Sequence, residues 1–194
     1  MSYADISKVR DRIGGLDYNS FGFDNEEGFE AYIGRLIDTA SRLVDRYCSV
    51  PNGFFKGGVD ITVVYRGRDI RVEDGGGSYI IPPYTPIIQV ISVEKNIGDD
   101  RGPVWSPIGF TRVDDRIYLL DQPNLNLKQS IRLSMRSGFI EVDPVIESIV
   151  IESVASFLLE FIRFLRNERR DTPILELRNT ELLDRFKQTV IAVG

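Results

Sequence analysis

The sequence predicts an α+β protein in which two long antiparallel helices, at about 25–49 and 144–170, pack with a small antiparallel β-sheet or barrel-like insertion at about 56–140. Three observations predict this fold. Apolar residues recur with helical spacing in two separated segments, and the segment between them alternates apolar and polar residues with a period of two. Clusters of Gly, Pro and Asp cut that middle segment into short pieces. A short C-terminal helix and tail complete the predicted fold.

The chain begins with a polar, glycine-containing stretch, residues 1–23, which we expect to form a loosely held N-terminal arm. The first long helix follows, with Asp24 as the expected N-cap and residues 50–53 (Val-Pro-Asn-Gly) as the expected stop. Its apolar residues recur at the i, i+3, i+4, i+7 spacing of one buried face. They are Phe29, Tyr32, Ile33, Leu36, Ile37, Ala40, Leu43, Val44 and Tyr47.

The middle segment predicts short antiparallel strands, because parallel strands would need helices between them. The clearest strand is 131–136, in which Ile, Leu and Met alternate with Arg, Ser and Arg. Other strands are predicted at 61–65, 70–72, 78–81, 87–95, 111–113 and 116–120.

The second long helix is predicted to begin at Asp143-Pro144, an N-cap followed by proline, and to run to about Arg170. It carries only about one polar residue per turn, so apolar side chains occupy most of its circumference. A helix of this kind needs cover on more than one side, and we expect neighbouring copies of the chain to supply part of it.

After Pro173 a short helix is predicted at about 180–188, and the chain ends with the apolar residues 190–194. An apolar terminus either packs back on its own domain or docks on a partner. The predicted organisation is therefore an arm at 1–23, a core at 24–172 and a tail at 173–194.

The composition excludes several classes of function. The 194 residues include no histidine and one cysteine, Cys48. Without histidine there is no Ser-His-Asp triad, Cys-His dyad or histidine zinc site, and one cysteine cannot form a disulfide within the chain. The net charge of −5 disfavours a general nucleic-acid binder. We therefore expect no enzymatic activity, no cofactor and no membrane span, and a protein made in the cytoplasm.

Two loop features could bind small ligands. The pairs Asp99-Asp100 and Asp114-Asp115 could hold a divalent cation, although aspartates are common in turns for backbone reasons. Glycines 75–77 could approach a phosphate, but they lack the P-loop ending and more simply form a hairpin tip. One alternative function is therefore a β-rich ligand- or metal-binding domain that uses these loop carboxylates. A sequence-specific DNA binder is a third hypothesis.

Arginine outnumbers lysine, 19 to 5, and four arginines cluster at the end of the second long helix: Arg163, Arg166, Arg169 and Arg170. They either compensate the helix dipole or contact acidic partners or passing DNA. Four aromatic residues are either core residues or anchors of a contact surface. They are Phe54, Phe55, Trp105 and Phe110.

Several separated segments resemble the head–tail connector (adaptor, or head completion) proteins of tailed phages. Residues 40–48, ASRLVDRYC, with the following Pro51 and Phe54-Phe55, resemble the family's first helix and its exit. Residues 85–93, TPIIQVISV, are similar to its proline-led strand. Residues 136–139 and 142–146 are similar to the strand end and the capped start of the last long helix, and 164–169 to the end of that helix. The order of helix, β region and helix also agrees over about residues 25–170.

The resemblance implies a structural virion protein of the neck. It would form a ring, commonly a dodecamer, below the portal protein and above the tail or its terminator, and would extend the DNA channel without binding a specific sequence. Intersubunit packing would then use Ile151, Phe157, Phe161, Phe164, Arg163 and Arg166. Portal docking would use tail residues Leu182, Leu183, Phe186, Val190 and Ile191. Truncation at Thr172 is expected to leave the fold intact and to abolish portal attachment.

Overall fold

The computed structural model describes residues 2–73, 76–98, 102–120, 130–168 and 171–188. The chain divides into two compact units. Met1–Gly57 and Ile140–Lys187 form the first, called the helical unit here, and Gly58–Phe139 with Gln188–Gly194 forms the second, the β unit.

Within the described residues, the helical unit contains three α-helices: α1 (Ile6–Arg12), α2 (Glu26–Tyr47) and α3 (Pro144–Leu165). Short 3-10 helices lie at Tyr18–Phe21 and Thr180–Phe186. Both long helices have the predicted amphipathic or largely apolar character. Both are shorter than predicted, and the ends of the chain contribute the remaining elements of the unit.

Side chains cap the beginnings of the two long helices. Asp143 caps α3 as predicted, its Oδ1 accepting a hydrogen bond of 2.8 Å from the Val145 N–H. The N-cap of α2 is Asn25 rather than the predicted Asp24, and Asn25 Oδ1 accepts a bond of 2.8 Å from the Gly28 N–H. Both residue types can cap, so the pattern located this end to within one residue.

Each long helix ends in a Schellman motif, in which one residue adopts the left-handed conformation. Ser49 does so after α2, with φ of 58°, and Asn167 does so after α3, also with φ of 58°. The Glu168 N–H then bonds the Arg163 carbonyl at 2.9 Å and the Asn167 N–H bonds the Phe164 carbonyl at 3.0 Å. These bonds satisfy the last carbonyls of α3, which is why the helix stops at Leu165 and not near Arg170.

The N-terminal segment is an integral part of the helical unit, although the sequence predicted a loosely held arm. Tyr3, Val9, Ile13 and Phe21 are all buried. These apolar residues are separated by polar and glycine residues, so no local period marks them. Their burial depends on α2 and α3, both of which contact α1.

A buried hydrogen-bond network anchors Tyr3. The Tyr3 hydroxyl donates to Asp45 Oδ1, and the other oxygen of Asp45 accepts the Gly53 N–H at 3.0 Å. The Tyr3 N–H donates to Ser41 Oγ at 3.0 Å, and the Phe55 N–H donates to the Tyr3 hydroxyl at 3.3 Å. The network therefore joins the start of the chain to α2 and to the segment after it.

The described residues of the β unit form eight strands: β1 (Val59–Arg66), β2 (Arg71–Val72), β3 (Ser78–Ile80), β4 (Ile87–Asn96), β5 (Trp105–Pro107), β6 (Phe110–Val113), β7 (Arg116–Leu119) and β8 (Ser130–Ser137). They form two four-stranded antiparallel sheets. The first sheet has the order β1-β8-β4-β5 and the second has the order β2-β3-β7-β6.

Side chains from both sheets form one hydrophobic core in the β unit. In β8, Ile131, Leu133 and Met135 point into this core, as the alternating pattern predicted, and all three are fully buried. The core residues are Tyr65, Ile70, Ile80, Ile87, Val93, Ile117, Leu119, Ile131, Leu133 and Met135. Sheets that share a core in this way form a sandwich.

The predicted fold class is therefore wrong. The sequence predicted a fold dominated by two long helices, with one small sheet or barrel-like insertion. The structure is a mixed α and β chain with two four-stranded sheets. The error has a physical cause, because alternation shows that a segment is a strand but does not show which strand it pairs with.

Candidate interaction surface

Helix α3 is covered by its own chain over part of its circumference. Ile146, Val150, Val154 and Leu158 are fully buried and face the other elements of the helical unit. Ile149, Ala155 and Ile162 are buried as well, whereas several other apolar side chains of the helix are only partly covered. Ile151, Phe157, Phe161 and Phe164 are half-buried, and Leu159 and Leu165 are 42% and 45% exposed.

The half-buried aromatic residues of α3 join an aromatic cluster. Phe157 and Phe161 stack with centroids 6.2 Å apart and an interplanar angle of 7°. The ring centroid of Phe161 lies 6.3 Å from that of Tyr32 in α2, and the Tyr32 centroid lies 5.3 Å from that of Phe23. Tyr32 is itself half-buried, and burial raises the pKa of its hydroxyl above the ordinary value of 10.0. All four rings are half-buried, so the cluster keeps part of its aromatic surface exposed.

The six residues predicted to mediate intersubunit packing do not share one face of α3. At 100° per residue, Phe157, Phe161 and Phe164 lie within an arc of about 60°, whereas Arg163 lies about 160° away from Phe161. Arg163 and Arg166 are exposed, and within the described ranges neither makes an ion pair. The aromatic residues and the arginines are therefore separate surfaces. Arg169 and Arg170 lie outside the described residues.

Most of the described tail packs on the helical unit. The Arg178 N–H donates to Ser153 Oγ at 2.9 Å, and its guanidinium pairs with Glu160 at 2.7 Å, so the segment runs beside α3. Leu183 is fully buried and Phe186 contacts the Phe55 ring, with centroids 5.6 Å apart.

Of the predicted portal-docking residues, Leu183 and Phe186 are thus enclosed by their own chain. Leu182 is 48% exposed, and Val190 and Ile191 lie outside the described residues. The sequence did not distinguish these positions because an apolar tail residue that packs internally looks the same as one that docks on a partner.

The remaining sequence candidates have structural roles or lie outside the described residues. Asp114-Asp115 forms the tight turn between β6 and β7, where Val113 pairs with Arg116 and Asp114 has a left-handed φ of 52°. Cys48 is buried, and this burial raises the pKa of its thiol to about 12. Asp99-Asp100 is outside the described residues. The described part of the chain contains no cluster of three or more Asp, Glu, Cys or His residues that could hold a metal ion.

The aromatic residues Phe54 and Phe55 are fully buried, and Phe110 is half-buried against the β-unit core. Trp105 has a different role, since its ring lies under the Arg132 guanidinium at 4.6 Å. Arg132 also makes two bonds of 2.8 Å to the carboxylate of Glu94 on the neighbouring strand β4. The three residues form a polar cluster on the outer face of the first sheet.

The hydrogen bonds that Arg132 donates to the Glu94 carboxylate lower the pKa of this group from its ordinary value of 4.5. A carboxyl group whose pKa is lowered in the folded state stabilises that state at pH values above its ordinary pKa. This stabilisation is lost as the pH falls through the lowered pKa. Carbon-detected NMR titration should show the Glu94 midpoint returning toward 4.5 in Arg132→Ala. The matched variant Arg136→Ala, four residues along β8 on the same face, should leave the midpoint low. An unchanged midpoint in Arg132→Ala would contradict the assignment.

Sequence reasoning missed the part that Phe23 and Tyr32 play in the aromatic cluster. Tyr32 was assigned to the apolar stripe of α2, and Phe23 to the arm. A partial signal exists, because Phe21, Phe23, Phe29 and Tyr32 form a dense aromatic run around the start of α2. Their position beside Phe161 follows only from the packing of α2 on α3.

None of the described helices is long and apolar enough to cross a membrane. Comparisons of the sequence with models of known protein families and with curated proteins give no match.

Proposed function

We propose that this chain is a structural assembly protein, a head–tail adaptor of a tailed phage, which forms a ring below the portal, extends the DNA channel and joins the capsid to the tail. Its site of action is then the virion neck. The observation that carries the proposal is the incompletely covered aromatic surface of α3. Phe157, Phe161 and Phe164 lie on one side of this helix and are each half-exposed in the single chain.

Aromatic side chains that keep a partly exposed ring are typical anchors of protein interfaces. Leu165 extends this surface, because it lies one turn beyond Phe161 and is 45% exposed. A neighbouring subunit that covers the surface would bury apolar area from both chains, which favours association. Repetition of the same contact around a closed ring buries the surface on every copy.

The charge of the chain also supports a passive channel. There are 29 acidic and 24 basic residues, so the protein does not carry the excess of positive charge that would hold DNA in place. A protein of this kind could surround DNA that moves through it. Leu182 is the exposed residue among the described tail candidates, and we assign it as the contact to the portal.

Ring assembly should depend on one face of α3. We expect Leu165→Glu to abolish rings, because it places a charge beside Phe161 in the proposed contact. Leu159→Glu is the matched control: it changes the same residue type on the same helix, with nearly the same exposure, about 120° around the axis. Both leucines are exposed, so both variants should fold.

Native mass spectrometry and negative-stain imaging, with and without a portal protein, measure the outcome. Wild type and Leu159→Glu should give closed rings, alone or on the portal, and Leu165→Glu should give neither. A wild-type protein that never forms rings, even with the portal, would refute the adaptor role. Rings that persist in Leu165→Glu would refute the assignment of the surface.

A further inference from the structure

The strand β1 is an open edge of the first sheet. It is eight residues long and, among the described strands, pairs only with β8. The opposite edge strand, β5, has three residues, and one of them is Pro107, which cannot donate a backbone hydrogen bond. A long edge that is not blocked in this way can accept another strand.

The backbone groups that face this open edge can be identified from hydrogen-bond parity. In an antiparallel ladder, both backbone groups of alternate residues point to the same neighbour. Gly138 N–H donates to the Pro86 carbonyl at 2.9 Å. The backbone groups of the even-numbered residues of β8 therefore point toward β4, and those of its odd-numbered residues point toward β1. Odd-numbered residues of β1 pair with odd-numbered residues of β8, so the backbone groups of the odd-numbered residues of β1 point toward β8.

Arg66 supports this parity. Its N–H donates to Asp69 Oδ2 at 3.0 Å, although Ser130 of β8 is its partner in the register. The even-numbered residues Asp60, Thr62 and Val64 therefore present their backbone N–H and carbonyl groups to the open edge.

We propose that two copies of this chain pair through β1, antiparallel, with Val63 on the two-fold axis. Thr62 of each copy then lies opposite Val64 of the other, and these two residues exchange backbone hydrogen bonds. Asp60 lies opposite Arg66, and the Asp60 N–H reaches the Arg66 carbonyl. The first sheets of the two copies become one continuous sheet.

The side chains of β1 fit a second copy of the same strand. On the outer face, Asp60 and Arg66 are exposed, and the antiparallel register places these opposite charges together twice. Parallel pairing in register would instead place each Asp60 beside the other. The charge pattern thus selects the antiparallel two-fold arrangement.

The inward side of β1 is also incompletely covered. Ile61 and Val63 are half-buried, whereas their partners in β8, Met135 and Leu133, are fully buried. In the proposed pair, Val63 contacts the second Val63, and Ile61 lies opposite Tyr65. The second copy therefore extends the apolar layer at the point where a single chain leaves it open.

This contact is independent of the proposed ring. A two-fold contact uses the same surface on both copies, whereas a ring joins two different surfaces. The experiment therefore uses the Leu165→Glu background, which removes the aromatic contact assigned to the ring. Failure of one proposal then leaves the other testable.

The first test measures mass by sedimentation equilibrium at about 1–300 µM protein. The background protein should approach 44 kDa, which is twice its 22.0 kDa. Thr62→Pro removes the outward N–H and should hold the protein at the monomer mass, while proline is tolerated at an edge. Thr62→Val keeps the N–H and should still form the dimer. Circular dichroism checks that both variants fold.

The second test exchanges the charges. Asp60→Arg and Arg66→Asp should each weaken the dimer at least about tenfold, because each places like charges together. The double variant restores opposite charges and should return the dissociation constant to within about threefold of the background value. A double variant as weak as either single change would overturn the register.

The third test is a cross-link. Val63→Cys should form a disulfide-linked dimer under mild oxidation, because the two positions face each other at about 4.5 Å between Cα atoms. Val64→Cys is the control: it is more exposed, but its copies would be about 8 Å apart, which is too far for a disulfide. Cys48 is buried and should not react.

Three results would overturn the proposal. A monomer at every concentration excludes the pairing. A dimer that Thr62→Pro does not weaken uses another surface. An assembly larger than two copies that Thr62→Pro disrupts would mean that a different strand occupies the β1 edge.

Discussion

Leu183→Ala is expected to lower the free energy of unfolding by about 3 kcal/mol. The side chain is fully buried although it lies near the end of the chain, and the next residues hold it in place. Phe186 contacts Phe55, and the Tyr47 hydroxyl donates to Asp184 at 3.0 Å. Truncation of Leu183 would leave a cavity in the interior of the helical unit, which the surrounding side chains can fill only in part.

Leu182→Ala is the matched control, since the neighbouring leucine is 48% exposed and should cost less than about 0.5 kcal/mol. Urea unfolding followed by circular dichroism measures both variants. Equal effects on the two leucines would contradict the packing described for the tail.

The same packing changes the expectation for a truncation at Thr172. The sequence predicted that the shortened chain would stay folded. The structure predicts instead that the truncation destabilises the helical unit, because Pro173, Leu183 and Phe186 are all buried. A shortened chain with an unchanged unfolding midpoint would refute this.

Asp45→Ala is expected to lower the free energy of unfolding by about 3 kcal/mol. Asp45 is 2% exposed and accepts hydrogen bonds from the Tyr3 hydroxyl and the Gly53 N–H. Removal of the carboxylate leaves both of these buried donors without their acceptor. Tyr3→Phe removes a single hydroxyl and should cost about 1–2 kcal/mol.

The two changes should not be additive, since both break the same contact. A double-variant cycle measured by urea unfolding tests this. If the loss of unfolding free energy in the double variant equals the sum of the losses in the two single variants, the hydrogen bond contributes nothing to stability.

Asp45 should also make stability depend on pH. Burial raises the pKa of its carboxyl above the ordinary value of 3.8, so the folded state binds more protons than the unfolded state between these two pKa values. Stability therefore falls as the pH rises from about 4 through the raised pKa. Asp45→Asn does not ionise, so its stability relative to wild type should improve over that window. Urea unfolding at several pH values measures the free energy of unfolding of both proteins. A difference between the two free energies that stays constant with pH would contradict this prediction.

Local patterns located elements well where neighbouring residues decide them. Asp143-Pro144 marked the start of α3, because a capping side chain and a proline act within one turn. The end of α3 was placed too late, although Asn167 carried a signal: asparagine is one of the few residues that readily adopt the left-handed conformation that ends a helix.

The candidate surface was predictable in part. The excess of apolar residues on α3 indicated a helix that its own chain covers incompletely, and Phe157, Phe161 and Phe164 are indeed half-exposed. The sequence analysis assigned Arg163 and these aromatic residues to a single contact, although the spacing of 100° per residue already places Arg163 about 160° from Phe161. It also did not reveal Phe23 and Tyr32 as neighbours of Phe161.

The sequence alone excluded histidine chemistry and a disulfide within this chain, because composition decides both. It also located the two long helices and the alternating strands, because short-range periodicity decides these. Only the tertiary structure decided that the strands form two sheets, that β1 is an open edge, and that Tyr3 and Leu183 belong to one core. Those properties depend on contacts between residues far apart in the chain. The free energy of such contacts comes from burial that the chain reaches only when all the elements pack together.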